Sequence, residues 1–252
     1  MSFKVYIPAR YAATRLPGKP LLEIAGKPLV QHVYERAVAS GAAEVVIATD
    51  DRRIADAARD FGAIVCLTSS AHVSGTDRIA EATRQRGETG ETVIVNLQGD
   101  EPMMSAAVIN QTAALVGAGR DANIGTVCEP ITRYVDWCDP NQVKVVRDEQ
   151  HYALYFSRAA IPHARDLDVS QWRPSTQCRR HVGIYAYTVA YLRHFVALPP
   201  AELEILERLE QLRALAHGGR VLVNDACEPC GVGIDTADDL ARLRAVWVEA
   251  HA

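Results

Sequence analysis

Short apolar runs alternate with amphipathic helical patterns along the first half of the chain. The runs are three to five residues long, bounded, and rich in β-branched residues, as strands are. Because a helical pattern separates successive strands, the sheet is predicted to be mostly parallel and covered by helices on both faces. The predicted strands cover residues 5–7, 45–48, 64–67 and 93–97, and the predicted helices cover residues 53–61, 76–86 and 106–116, with another that aligns Leu29, Val33, Ala37 and Val38.

The pattern changes after about residue 130. Residues 142–147 and 152–157 alternate around a polar turn and predict a β-hairpin. Further strands are predicted at 182–187, 220–224 and 232–235, and helices at 189–196 and 202–217. Thr236 caps a final helix, with Asp239 in the reciprocal position. We therefore predict one α/β domain, an αβα sandwich with its core in residues 1–130 and 218–252 and a smaller antiparallel, lid-like insertion at about 131–217.

The net charge of the 252 residues is −4, so the chain has no overall attraction to nucleic acid or anionic membranes. An anionic ligand must therefore be bound by a local cluster. No apolar stretch approaches the roughly 20 residues of a membrane span, and no signal-like segment precedes the first strand. These observations predict a soluble, cytoplasmic protein with neither nucleic acid nor membrane among its partners.

Six cysteines are scattered through the chain, which in a cytosolic protein favours free thiols over disulfides. Cys227 and Cys230 have the spacing of a metal or redox motif. A zinc site needs a second pair or nearby histidines, and neither is present. Chance spacing is the favoured interpretation.

The loop after the first predicted strand contains three cations and no acidic residue. Arg10, Arg15 and Lys19 stand there among glycine and prolines. Loops at the carboxyl ends of parallel strands are where α/β proteins bind polyanionic ligands. Cations in a loop that contains no carboxylate of its own indicate a triphosphate site. The alternative is a basic surface loop.

Two aspartates follow predicted strands and are candidate ligands of a metal ion. Asp100 comes after the strand 93–97, and Asp235 ends the short strand 232–235. Magnesium binds through carboxylates together with phosphate oxygens, so the pair could hold it over a triphosphate. The alternatives are a turn aspartate for Asp100 and a helix cap for Asp235.

Two weaker clusters complete the candidate residues. Ser74, Gly75 and Arg78 stand at a predicted helix start, where free N–H groups hold oxygen-rich ligands, although a plain cap explains the sequence equally well. In the second half of the chain, one set of residues combines a cation, suited to the carboxylate of a sugar acid, with hydrogen-bond donors and acceptors suited to its hydroxyls. The alternative is that the glutamate of this set lies on a solvated helix face. That second set is Arg158, His181, Tyr185 and Glu210.

Taken together, these segments resemble the 3-deoxy-manno-octulosonate cytidylyltransferases, also called CMP-Kdo synthetases. The first segment alone would indicate only a sugar nucleotidyltransferase, but the blocks follow in order along nearly the whole chain. Asp77 departs from the family pattern, which has glutamate there. The matching blocks are residues 7–10, 15–21, 72–78, 96–102, 141–146, 153–158, 180–185, 209–213 and 233–236.

The resemblance implies a GT-A-like αβα sandwich, a homodimer, Mg²⁺ as cofactor, and the conversion of CTP and Kdo to CMP-Kdo and pyrophosphate for lipopolysaccharide synthesis. By the same resemblance, the catalytic residues are Arg15, Lys19, Asp100 and Asp235, of which Asp100 and Asp235 bind the metal. The nucleotide-binding residues are Ala9, Arg10, Arg15, Lys19, Ser74, Gly75, Arg78, Gln98 and Asp100. The sugar-binding residues are Gln98, Arg158, His181, Tyr185, Glu210 and Gln211.

Three alternatives remain at this level. The sugar acid could be sialic acid or an amino-substituted Kdo, because residue types alone do not identify the pocket. A non-catalytic sugar-nucleotide binding protein is a second alternative, although such a protein would tend to lose the metal carboxylates. A glycosyltransferase of similar fold would favour an Asp-x-Asp motif, where this chain has Gly99-Asp100-Glu101-Pro102.

Overall fold

A computed structural model describes residues 2–12, 16–117, 119, 121–165, 172–173, 177–231, 233–234 and 236–250. The strands are β1 (Phe3–Ala9), β2 (Glu23–Ile24), β3 (Lys27–Pro28), β4 (Glu44–Thr49), β5 (Ile64–Leu67), β6 (Val93–Asn96), β7 (Ile124–Pro130), β8 (Lys144–Arg147), β9 (Ala153–Ser157), β10 (Arg179–Thr188) and β11 (Val221–Asp225). The helices are α1 (Leu29–Val38), α2 (Arg52–Asp60), α3 (Gly75–Gln85), α4 (Ala106–Ala113), α5 (Tyr134–Cys138), α6 (Val189–Ala197), α7 (Glu202–Glu207), α8 (Gln211–Ala216) and α9 (Ala237–Ala250), with a 3₁₀ helix at Lys19–Leu21.

The main sheet has the strand order β11-β7-β10-β6-β1-β4-β5, and β2 and β3 form a separate small sheet. Strands β6, β1, β4 and β5 are parallel, as are β7 and β11. β10 lies antiparallel between β6 and β7. The prediction of a mostly parallel sheet is thus confirmed, with one reversed strand at its centre.

Helices cover both faces of the sheet, and the side chains along each strand alternate between the two faces. In β1, Phe3, Val5 and Ile7 pack with α1, α2 and α4, while Tyr6 packs on the other face with α3 and α6. Successive side chains of a strand point to opposite faces, so a strand buried on both sides is continuously apolar. This burial explains why the strand segments of the first half contain so few polar residues.

The predicted hairpin forms from β8 and β9 and extends the sheet beyond the end of β6. The first residues of β10, Arg179 and Arg180, pair with β8, whereas its later residues pair with β6. β8 therefore continues along the same edge of β10 from the point where β6 has ended. The division into a core and an insertion at residues 131–217 stays a prediction.

Two predicted elements differ in the structure. The helix predicted over 202–217 is interrupted: α7 ends at Glu207, the next residue, Arg208, has a left-handed φ of 52°, and α8 follows from Gln211. The predicted strand 232–235 is wrong for its described residues, Gly233 and Ile234, which are in neither strand nor helix. The N–H of Ile234 donates instead to the carbonyl of Asp100, in the loop after β6, at 2.9 Å. Among the described residues, this single contact does not continue as a pairing of two strands.

The predicted reciprocal cap of the last helix is confirmed. The N–H of Thr236 donates to the Asp239 carboxylate at 2.8 Å, and the N–H of Asp239 donates to the Thr236 hydroxyl at 3.2 Å. All six cysteines lie in the described part of the chain and are free thiols. Among the described residues, the helices are too short or too polar to cross a membrane.

Gly125 provides a test of how tightly the helix layer packs on the sheet. A Cβ at Gly125 in β7 would lie 2.5 Å from the Cβ of Leu115 and 3.3 Å from the carbonyl oxygen of Thr112. Gly125→Ala is expected to lower the free energy of unfolding by about 1–3 kcal/mol, because α4 must shift. Gly183→Ala is the matched control, since its Cβ would meet nothing within 4 Å. Equal urea midpoints for the two variants would contradict this packing.

Candidate functional site

A cleft of about 490 Å³ opens at the carboxyl ends of β1 and β6. Ligands of open α/β sheets bind at this edge, outside the carboxyl ends of the parallel strands. The cleft combines the end of β1, the 3₁₀ helix, the start of α3 and the turn after β6 with one residue from the α7–α8 break. Its lining comprises Pro8, Ala9, Arg10, Leu16, Lys19, Pro20, His72, Val73, Ser74, Gly75, Arg78, Gln98, Gly99, Asp100 and Arg208.

The loop after β1 is closed by a contact between its two ends. The N–H of Gly18 donates to the carbonyl of Tyr11 at 3.0 Å. Gly18 has a φ of 69°, and a Cβ there would lie 3.1 Å from the Tyr11 ring. Glycine adopts this conformation without steric penalty and leaves room for the ring. The guanidinium of Arg53 covers the Tyr11 ring at 3.4 Å, which further fixes the loop.

Lys19 joins two of the predicted metal- and phosphate-binding segments. Its ammonium donates to Asp100 Oδ2 at 2.6 Å and to the carbonyl of Ile234 at 2.7 Å. The end of β6 and the segment before α9 therefore meet at the loop of β1. Arg15 and Asp235, which the sequence places in this site, lie outside the described residues.

The turn after β6 approaches β1 closely. A Cβ at Gly99 would lie 3.0 Å from the carbonyl oxygen of Pro8, and one at Gly75 would lie 3.1 Å from the Pro8 ring. Both glycines thus allow backbone segments to converge at the floor of the cleft. Ser74 caps α3 by accepting from the N–H of Asp77 at 3.1 Å, and its hydroxyl donates to the Asp77 carboxylate at 2.9 Å.

Arg78 is held inside the cleft wall. Its guanidinium lies 3.2 Å from Asp50 Oδ2 and donates to the Thr68 hydroxyl at 2.6 Å. The side chain is only 3% exposed. Arg78 therefore has a compensating carboxylate, whereas the exposed Arg10 contributes its charge to the mouth of the cleft.

Gln98, which lines the cleft, is connected to polar residues of β10 through Asn96 at the end of β6. The Gln98 amide donates to Asn96 Oδ1 at 3.0 Å, and Asn96 is the register partner of Tyr185. The rings of Tyr185 and His181 lie 5.4 Å apart, and His181 Nε2 is 3.0 Å from the Thr126 hydroxyl. Burial raises the pKa of Tyr185. Burial, aided by the neighbouring Arg180, lowers the pKa of His181 to about 3.

Glu210, which lies just before α8, connects this part of the chain to α3. Its Oε2 accepts from the Thr76 hydroxyl at 2.5 Å, next to the cap residue Ser74. Burial raises the pKa of Glu210, although hydrogen bonds from Thr76 and Ser74 act in the opposite direction. Gln211, which follows, is buried at the start of α8.

Arg158 uses three of its donor atoms within the protein. Its Nε donates to the carbonyl of Glu207 at 2.7 Å, its Nη1 to the carbonyl of Pro140 at 3.0 Å, and its Nη2 to the carbonyl of Arg208 at 3.5 Å. An arginine has five N–H groups, so two remain for a ligand. In this structure Arg158 anchors the end of α7.

Eight of the predicted nucleotide-binding residues line the one cleft: Ala9, Arg10, Lys19, Ser74, Gly75, Arg78, Gln98 and Asp100. Of the predicted sugar-binding residues, Gln98 lines it, while His181, Tyr185 and Glu210 connect to its wall through the contacts above. Their roles stay predictions. Among the described residues, which exclude Asp235, no three His, Cys, Asp or Glu side chains form a metal-binding group.

Two lining residues with polar side chains, His72 and Arg208, were not among the sequence candidates. His72 contacts the Glu81 carboxylate. It is the first residue of the matching block 72–78, so this motif could have identified it as a site residue. Arg208 stands in a segment predicted as continuous helix, and no motif marks it.

Comparison with known proteins agrees with this geometry. A family model described as cytidylyltransferase matches residues 5–223. The 3-deoxy-manno-octulosonate cytidylyltransferase of Thioalkalivibrio sulfidiphilus is 53% identical over 245 residues, covering 96% of this chain and 98% of the relative. Its counterpart from Cellvibrio japonicus is 52% identical over 250 residues and 98% of both chains.

Solved structures agree as well. A CMP:2-keto-3-deoxy-manno-octonic acid synthetase complexed with CTP has a TM-score of 0.88 at 39% identity, covering 99% of both chains. A nucleotidyl transferase from Methanothermobacter thermautotroptrophicus has a TM-score of 0.64 at 15% identity over 98% of each chain. The second likeness concerns the fold alone.

The lowered pKa of His181 predicts a pH dependence of stability. Below pH 6.5 the unfolded chain takes up a proton that the folded protein does not bind until about pH 3. The free energy of unfolding is therefore expected to fall by about 1 kcal/mol per pH unit through this residue as the pH drops from 6 to 4. Urea unfolding at several pH values measures this slope. His181→Gln, which retains a partner for Thr126, should reduce it, and unchanged slopes would contradict the prediction.

Proposed function

Since the chain belongs to the 3-deoxy-manno-octulosonate cytidylyltransferase family, we propose that it transfers the cytidylyl group of CTP to the C2 hydroxyl of Kdo. The products are CMP-Kdo, a precursor for lipopolysaccharide, and pyrophosphate. The family assignment makes the chain a nucleotidyltransferase.

The observation that carries this proposal is the electrostatic character of the cleft. Its described lining includes four cations and one carboxylate, Asp100, although the whole chain has a net charge of −4. Asp50 compensates Arg78 and Asp100 compensates Lys19, so two of the four cations are left in excess. This positive charge attracts a polyanion such as a nucleoside triphosphate. The cations are Arg10, Lys19, Arg78 and Arg208.

The reaction is an in-line displacement at the α-phosphorus of CTP. The C2 oxygen of Kdo forms the new P–O bond, the bond to the β-phosphate breaks, and the hydroxyl proton leaves to solvent. Positioning and charge stabilisation provide most of the catalysis, because no covalent intermediate is needed. Lys19 and Arg15 neutralise the β- and γ-phosphates and the leaving pyrophosphate. At neutral pH His181 is uncharged, since its pKa is about 3, so it orients the sugar through neutral hydrogen bonds.

The donor chemistry of the site fits Mg²⁺. Carboxylate oxygens, combined with phosphate oxygens of the substrate, are the ligands this ion prefers. Asp100 offers such an oxygen at the cleft, and Asp235 is the second proposed ligand. Held by these carboxylates, the ion would withdraw charge from the phosphate and lower the pKa of the attacking hydroxyl. Lys19, 2.6 Å from Asp100, compensates the charge of that carboxylate.

The insertion at about 131–217 is proposed to bind the sugar and to form a homodimer. Sugar binding is supported by the contact of Glu210 with Thr76 at the cleft wall. Dimer formation is supported by the exposed apolar side chains of Leu154, Ile205 and Leu206, which are 63%, 64% and 72% exposed. Free thiols throughout the chain suit the reducing cytoplasm, where we place the reaction.

Pyrophosphate release tests the proposed reaction. Each of the four nucleoside triphosphates is combined with Kdo, sialic acid or amino-substituted Kdo, with Mg²⁺ present or chelated. Release is expected only with CTP, Kdo and the metal together. Release without a sugar, or with sialic acid at the rate of Kdo, would overturn the assignment.

Asp100→Asn tests the proposed metal ligand. The amide oxygen still accepts from Lys19, so the thermal midpoint should stay within a few degrees, while kcat is expected to fall by about 100-fold or more. Asp56→Asn is the control, because Asp56 lies on α2 with a side chain that is 70% exposed. A kcat for Asp100→Asn equal to that of the control would remove Asp100 from the metal site.

A further inference from the structure

Arg208 reaches the cleft from the insertion, at the break between α7 and α8. Its φ of 52° and ψ of 49° are left-handed, a conformation that residues with a Cβ adopt rarely. α8 begins at Gln211, so the break spans only three residues. The break, and not helical periodicity, decides where the Arg208 side chain points.

Contacts before the break hold the end of α7. The Ser157 hydroxyl donates to Glu207 Oε1 at 2.6 Å, and the N–H of Arg158 donates to Glu207 Oε2 at 2.9 Å. The Arg158 guanidinium donates to the Glu207 carbonyl at 2.7 Å. Ser157 at the end of β9 and Arg158, which follows it, therefore hold both the side chain and the backbone of Glu207.

Contacts after the break hold the start of α8. Leu209 is 6% exposed and packs in the core cluster formed by β7, β9 and α8. Glu210 accepts the hydrogen bond from Thr76 at 2.5 Å. Arg208 is thus fixed from both sides, with its backbone in a conformation that an unconstrained arginine would avoid.

The Arg208 guanidinium itself is available to a ligand. The residue is exposed, lines the cleft, and its side chain forms no hydrogen bond or ion pair with the rest of the described chain. Arg78, in the same lining, is by contrast paired with Asp50. A guanidinium whose backbone is held in place has a planar fork of donors that matches carboxylate and phosphate oxygens.

We propose that Arg208 binds an anionic oxygen group of a substrate in the cleft, the carboxylate of the sugar acid or a phosphate of the nucleotide. Which substrates are available to it rests on the proposed function. Its neighbours Arg158 and Glu210 belong to the proposed sugar-binding set, which favours the carboxylate.

The test compares ligand binding by the wild type, Arg208→Gly and Arg208→Lys in calorimetric titrations with Mg²⁺ present. CTP is titrated alone, and Kdo is titrated in the presence of α,β-methylene CTP. Glycine adopts the left-handed conformation without strain, so Arg208→Gly is expected to fold with an unchanged or higher thermal midpoint. Arg133→Gln is the matched control, an exposed arginine of the insertion that lies 3.7 Å from Asp136 and outside the cleft lining.

If Arg208 binds the sugar carboxylate, Arg208→Gly weakens Kdo binding by about tenfold and leaves CTP binding unchanged. If it binds a phosphate, the effects are reversed. In either case Arg208→Lys recovers part of the affinity, because the charge remains. Affinities of Arg208→Gly within twofold of the wild type and of Arg133→Gln for both ligands would overturn the proposal.

Failure of the proposed function has a different signature, since the wild type would then bind neither CTP nor Kdo. In that case pyrophosphate serves as the anionic probe. Weaker pyrophosphate binding by Arg208→Gly than by the wild type would support the anion site, and equal binding would overturn it.

Discussion

The ammonium of Lys19 is the contact on which the arrangement of the cleft depends. It donates to Asp100 at 2.6 Å and to the carbonyl of Ile234 at 2.7 Å, residues separated from it by 81 and 215 positions. The N–H of Ile234 in turn donates to the carbonyl of Asp100. Three segments that are distant in sequence therefore share one small polar junction at the carboxyl edge of the sheet. The same cation that closes the junction is one of the two proposed to neutralise the triphosphate.

The reversed strand β10 connects the hairpin of β8 and β9 to the strands that end at the cleft. Because its first residues pair with β8 and its later residues with β6, the hairpin of β8 and β9 is continuous with the main sheet. Ser157, the last residue of β9, and Arg158, which follows it, hold the end of α7. The contact between Thr76 and Glu210 connects this assembly back to α3. Backbone and side-chain hydrogen bonds thus connect the phosphate-binding candidates to the sugar-binding candidates. A displacement of the hairpin would therefore change the positions of residues at the cleft.

Local sequence patterns predicted most of the fold and the site residues at the carboxyl ends of β1 and β6. The strands of the first half, the hairpin and the cap formed by Thr236 and Asp239 all have short-range signals, namely burial on both faces, alternation and capping chemistry. The predictions were wrong where a distant partner overrides the local pattern. Residues 202–217 have helical periodicity throughout, yet α7 ends at Glu207, whose side chain and carbonyl accept hydrogen bonds from Ser157 and Arg158. Gly233 and Ile234 resemble a strand, yet their backbone contacts the loop of Asp100.

The sequence by itself determined the α/β class, the family and the residues that gather at the carboxyl ends of β1 and β6. It could do so because strand and helix periodicities and motif order depend on neighbours along the chain. Only the tertiary structure decided which cations are paired and which face a ligand. Arg78 is neutralised by Asp50, Arg158 is engaged by backbone carbonyls, and Arg208, which no motif marks, points into the cleft. Charge pairing depends on distances between remote residues, and those distances exist only in the folded chain.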